Sequence, residues 1–191
     1  MTEQERYREP EAPADLGAHA AGEQAPIPTA RPLIAAGVWL GLGLGGFFDG
    51  IVFHQILQWH HMLTSAGYPP TSVANFDINT LADGLFHAAT YLFTVIGLFV
   101  LWRASRRGDA SWSAAILIGA ILAGWGAFNL VEGLIDHQIL GIHHVRDDMA
   151  AGPGKTAWDI GFLAWGALML ALGWLLIRHG RRAAAPPTPV R

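Results

Sequence analysis

The sequence predicts an all-α membrane protein, with four transmembrane helices forming two repeated hairpins in a bundle and both termini cytoplasmic. Three observations predict it. The 191-residue chain is 52% apolar and only 14% charged, whereas a soluble domain carries about a quarter charged residues. Lys and Arg are absent from residues 32–102, 108–145 and 156–177, which together hold nearly all the apolar sequence. A thirteen-residue pattern also occurs twice, 83 positions apart.

A bilayer core takes about 20 residues of apolar helix. The stretches 32–57, 81–102, 112–140 and 157–177 each qualify. The first opens with Pro32 at a helix start, a position that suits proline, and is interrupted only by Asp49 and His54. A soluble helical bundle would need charged outer faces, and these helices have none. Of the twelve basic residues, ten fall on the side of the termini and the 103–107 connection; only Arg146 and Lys155 lie in the two longer loops. The positive-inside rule therefore puts both termini in the cytoplasm and the loops 62–79 and 145–155 outside. Residues 1–30 and 183–191 read as short disordered cytoplasmic tails. The membrane domain spans 31–182, with repeat one at 32–102 and repeat two at 112–178.

The repeat sets Asp49-Gly-Ile-Val-Phe-His54-Gln-Ile-Leu-Gln-Trp-His60-His61 above Glu132-Gly-Leu-Ile-Asp136-His137-Gln-Ile-Leu-Gly-Ile-His143-His144, with seven of thirteen positions identical. The same offset pairs Gly41 with Gly124 and Gly43 with Gly126. In the following spans, Thr80-Leu-Ala-Asp83-Gly-Leu-Phe86 aligns with Thr156-Ala-Trp-Asp159-Ile-Gly-Phe162. Two like-oriented hairpins predict a pseudo-two-fold axis along the membrane normal, and the glycines predict close helix packing.

The spans carry the acids Asp49, Asp83, Glu132, Asp136 and Asp159 with the histidines His54, His60, His61, His87, His137, His143 and His144. A charge at bilayer depth costs roughly 2.5–3.5 kcal/mol even on permissive scales. With no Lys or Arg inside the spans, the available compensators are protons, imidazolium or metal cations. Imidazole with carboxylate suits iron, zinc, manganese or copper(II); the absence of Cys excludes thiolate sites, iron–sulfur clusters and disulfides. Nothing in the chain suggests nucleic acid.

At about 1.5 Å per residue, His54 and His137 lie roughly 10 Å inward from the His pairs, and Asp49 and Glu132 near 18 Å. Asp83 and Asp159 lie about 5–6 Å below the starts of their spans and His87 about 12 Å below. At about 100° per residue, Asp49 is about 140° from His54, and Glu132 equally far from His137. One mononuclear centre does not easily take all these groups; a dinuclear centre, or carboxylates supporting the His rings, fits better. Each piece also has a structural reading: His60-His61 and His143-His144 as interfacial helix ends, Asp83 and Asp159 as N-terminal caps.

These motifs, from Gly46-Phe-Phe-Asp49 through His60-His61 and from Asn129-Leu-Val-Glu132 through His143-His144-Val-Arg146, resemble the bacterial membrane proteins of the domain of unknown function 2243 family. The resemblance covers about residues 32–177. It implies a multi-pass protein of the bacterial inner membrane and supplies no reaction.

The first expectation is therefore a metal-dependent oxidoreductase or redox subunit embedded in the lipid bilayer. Its ligands would come from His54, His87, His137, Asp83, Asp159 and Glu132, with Asp49 and Asp136 in support and the His pairs loading metal or protons. The alternatives are a haem b cytochrome with His54 and His137 as axial ligands, a copper transport or delivery protein, a zinc hydrolase, and a structural subunit. Respiratory-chain or metal-handling proteins are the partners these readings imply; the oligomeric state is left open.

Overall fold

The computed structural model describes residues 29–107 and 110–184; of the expected tails at 1–30 and 183–191, residues 1–28 and 185–191 lie outside them. Four helices are long and apolar enough to cross a membrane, and no strand forms among the described residues.

Helix α1, Arg31–Phe48, has Pro32 in its first turn and continues without a break as a π-helical segment, Asp49–Ile56. Helix α2, Val73–Ser105, is capped by Ser72, whose hydroxyl accepts from the Asn75 amide at 3.2 Å. Its start lies eight residues before the span read from hydropathy, because the cap and the polar first turns extend the helix beyond its apolar part. Helix α3, Ala114–Glu132, is capped in the same way by Ser113 and also continues as a π-helical segment, Gly133–Ile139. Helix α4, Pro153–Ala183, starts on its proline.

Helices α1 and α3 pack against each other at the centre, α2 packs on α1 and α4 on α3. Glycines make the crossings possible. A Cβ added to Gly41 would lie 2.8 Å from Gly124 Cα, and one on Gly124 would lie 3.0 Å from Gly41 Cα. Neither helix tolerates a side chain there. Gly43 faces Thr90 and Thr94 of α2, while Gly126 faces Gly166 and Leu170 of α4. The outer surface is apolar, with Leu81, Leu85, Tyr91, Trp102, Val131 and Trp174 all more than half exposed. That is the surface a bilayer covers.

The π-helical ends overturn one expectation. Extending an α-helix through His61 keeps Asp49 and His54 on different faces. In a π-helix the hydrogen bonds run between residues five apart, so residues five apart come onto the same face. The Leu57 amide bonds the Val52 carbonyl at 2.8 Å, and the Leu140 amide bonds that of Ile135 at 2.8 Å. Asp49 thereby meets His54, and the helix ends at Ile56 rather than running on to the His pair. The chain then turns back through Gln58 at φ 50° and Gly141 at φ 58°. This reversal carries His60, His61 and His143 into the bundle, where all three are buried.

The two connections at this end hold each other. The Ser65 amide donates to the Ile142 carbonyl at 2.9 Å, the Asp148 amide to that of Trp59 at 3.2 Å, and Asp147 accepts from Ser65 Oγ and pairs with Lys155. Arg146 lies over Trp59 and Trp158, with its guanidinium bonded to Asp148 at 2.7 and 2.8 Å. That pairing holds the Asp148 carboxyl below the usual carboxylate range.

Candidate metal centre

Six side chains meet where the π-helical segments and the returning loops converge: Asp49, His54, His60, Glu132, His137 and His143, all no more than 4% exposed. They form three overlapping donor triplets, in each of which the ligating atoms lie within 4.8 Å of one another: His54 with His60 and His143, Glu132 with His137 and His143, and Asp49 with His54 and Glu132. The rings of His60 and His143 stack at 4.8 Å and 11°, and the His54–His60 and His137–His143 centroids lie 4.5 and 4.8 Å apart.

The polar atoms at the centre of this cluster have no hydrogen bonds. Both carboxylate oxygens of Asp49 and of Glu132, and the Nε2 atoms of His54, His60, His137 and His143, are buried and unpartnered. His54 Nε2 lies 3.0 Å from Asp49 Oδ2, but without hydrogen-bond alignment. His60 Nε2 is 3.8 Å from Asp49 Oδ2, and His143 Nε2 is 3.7 Å from Glu132 Oε1. A buried polar group without a partner costs about 1–3 kcal/mol, more when charged. Ten such side-chain atoms occur among the described residues, nine of them in this cluster.

The outer edges of three of the four rings are, by contrast, held, and only His137 Nδ1 lacks a hydrogen bond. His54 Nδ1 is 2.9 Å from Asp83 Oδ1, and His61 Nδ1 is 2.7 Å from Asp83 Oδ2. His144 Nδ1 is 2.8 Å from Asp159 Oδ2, with His137 Nδ1 farther, at 3.7 Å, from Asp159 Oδ1. His60 Nδ1 lies 3.0 Å from the Val145 carbonyl, and His143 Nδ1 lies 3.3 Å from the Met62 carbonyl. A carbonyl can only accept, so both Nδ1 atoms carry a proton, and each ring when neutral presents the lone pair of Nε2 to the cluster. The backbone anchors the acids in turn: the Met62 amide donates to Asp83 at 2.9 Å and the Val145 amide to Asp159 at 3.0 Å.

The expected residues therefore divide into three groups. Asp49, His54, His60, Glu132, His137 and His143 come together. Asp83, Asp159, His61 and His144 form a surrounding layer, with His144 the one that reaches the surface, at 27% side-chain exposure. His87 and Asp136 stand apart from the triplets. His87 lies against Gly50 and Phe47 with a buried, unpartnered Nε2, and Asp136 lines a cavity beside Glu132. The carbonyls of Met62 and Val145 escaped the sequence analysis, since a backbone acceptor leaves no residue signature. The π-helices did leave one: an acid five positions before a histidine, in both halves.

A membrane bundle with a buried His/carboxylate cluster is the class that fold and site define. The family model described as "Predicted membrane protein (DUF2243)" matches residues 36–180, and the chain belongs to that family. No curated protein and no solved structure matches it.

Proposed function

We propose that this is a bacterial inner-membrane redox protein or oxidoreductase. Its dinuclear transition-metal centre would be held by Asp49, His54 and His60 from one half and Glu132, His137 and His143 from the other. The observation that carries this is the set of unpartnered donor atoms. Two carboxylates and four imidazoles aim bare polar atoms into one buried space, in a region without Lys or Arg. A pair of cations supplies what those atoms lack. Asp83 and Asp159, with the two carbonyls, act as the outer partners that fix ring orientation around metal sites.

Iron, copper or zinc all suit this donor set, and iron or copper would make it redox-active. The site's isolation from water favours electron transfer or oxidation over hydrolysis, which needs a polar substrate and water. Ions fit better than haem, because the rings of His60 and His143 each lie within 6.2 Å of both His54 and His137, in the space a haem held by those two would need. Transport is less well supported: toward the other end, α1 and α4 carry no polar side chain that would pass an ion on before the terminal arginines. The matching contacts of residues 83 apart support an origin by duplication. The distribution of basic residues supports cytoplasmic termini, with the centre near the opposite face.

An absorption spectrum with a redox titration of the purified protein tests the redox assignment. Iron or copper should give weak visible bands that bleach or appear on reduction. An intense haem band, or a colourless zinc-loaded protein with no redox response, would refute it.

A further inference from the structure

Two cavities flank the cluster, and they correspond under the same repeat. One, of about 350 Å³, has Glu132 in its wall; the other, of about 250 Å³, has Asp49. Where the first has Leu42, Phe86 and Asp136, the second has Trp125, Phe162 and Phe53. The Glu132 cavity is thus the larger of two matched spaces and the one with a second carboxylate. Its other walls include Trp39, Phe93 and Phe128. Every lining residue belongs to a membrane-crossing helix, and Val131 at its rim is 57% exposed on the outer face of α3. The mouth therefore opens at the depth of the lipid tails.

The floor is different in kind. Glu132 is buried, with both oxygens sealed from solvent and one of them 3.7 Å from His143 Nε2 in the cluster, so the acceptor open to the cavity is the half-buried Asp136. An apolar entrance, flat aromatic walls and a carboxylate acceptor at the end select one chemistry. We propose that this cavity is a binding site, entered from the bilayer, for a flat aromatic molecule carrying a hydroxyl group, which hydrogen-bonds to Asp136. The ring enters the apolar part and the hydroxyl ends beside the cluster. Phe53 and Trp125 deny the mate cavity both the second acceptor and the width. In naming a substrate class for the centre this rests on the metal reading; the binding itself does not.

The test uses full-length protein in lipid nanodiscs, with 2-naphthol as probe and 2-methoxynaphthalene as the matched molecule lacking the donor. Binding is measured above partitioning into empty nanodiscs. Naphthol should bind saturably and about fivefold or more tighter than its methyl ether, as expected for one hydrogen bond to a carboxyl group. Leu42→Trp and Asp136→Phe, each copying the mate cavity, should weaken naphthol binding about tenfold or more, with bound metal unchanged in Leu42→Trp. Asp136→Phe exchanges an acid for an apolar residue in the span, so it remains informative if Leu42→Trp misfolds. Equal binding of the two probes, pointing to an apolar filler such as a lipid tail, would overturn the proposal. So would undiminished naphthol affinity in correctly folded variants. Metal content is read in the same samples: metal without naphthol binding refutes the cavity alone, and naphthol binding without metal refutes the centre alone.

Discussion

His60 Nδ1 meets the backbone carbonyl of Val145 at 3.0 Å, across 85 positions of sequence. The counterpart 83 residues on, His143, meets the carbonyl of Met62 at 3.3 Å. Each half of the molecule thus sets the tautomer of an imidazole from the other half. The two returning loops have to fold together for either Nε2 to face the cluster. His60→Ala and His143→Ala should therefore cost similar amounts of bound metal, each lowering affinity by at least the 10–100-fold typical of outer-partner losses. Metal retention during chelator dialysis measures both, and a large inequality would separate the halves.

Asp83 should matter more to its half than Asp159 does. It is within 2.9 Å of His54 and 2.7 Å of His61, whereas Asp159 sits 3.7 Å from His137. Asp83→Asn keeps the size and replaces one acceptor oxygen with a donor, so it misorients His54 without opening a cavity. The expected loss is about 10–100-fold in metal affinity, with Asp159→Asn weaker in effect. Equal retention by both variants and the parent protein would remove Asp83 from its positioning role.

Much of the fold was legible because membrane insertion imposes strong rules. The four spans, the pairing of Gly41 with Gly124 and the gathering of His54 and His137 all followed from hydropathy and the repeat. Depths counted along a continuous α-helix do not hold for His60 and His143, because the chain leaves the helix after Ile56 and folds back at Gln58 and Gly141. The separation of Asp49 from His54 failed for a related reason, since α-helical angles do not apply to a π-helical turn. Asp83 and Asp159 were candidate ligands or caps; they instead accept from imidazole Nδ1 atoms, a distinction of orientation that spacing alone does not carry.

The reversal itself is open to test. Gly141 has φ 58°, and an added Cβ would meet nothing within 4 Å, so its requirement is purely conformational. Gln58 holds the same conformation, at φ 50°, without being glycine. Gly141→Ala should destabilise the protein by about 1–2 kcal/mol, the left-handed penalty of an L-residue. Gln58→Gly should be neutral or stabilising. Melting temperatures of the two variants in detergent check both signs.

The placement of the centre near the outer face depends on orientation. Ten of twelve basic residues lie on the side of the termini, so a reporter fused after Ala184 should respond as cytoplasmic and one inserted at Ala150 as external. Both on the same side would contradict the four-span topology, and the reverse result would put the centre near the cytoplasmic face.

The most direct measurement is the number of transition-metal ions per chain in protein purified from membranes, compared across four forms. The parent and His179→Ala, altered among the arginines at the end of α4, should each carry about two ions. His54→Ala and His137→Ala, matched to them for folded yield, should each lose one or both. A parent protein free of metal that binds none when iron, copper or zinc is supplied, or deep variants that keep full occupancy, would contradict a metal centre. The six converging side chains would then have to be held together by protons alone.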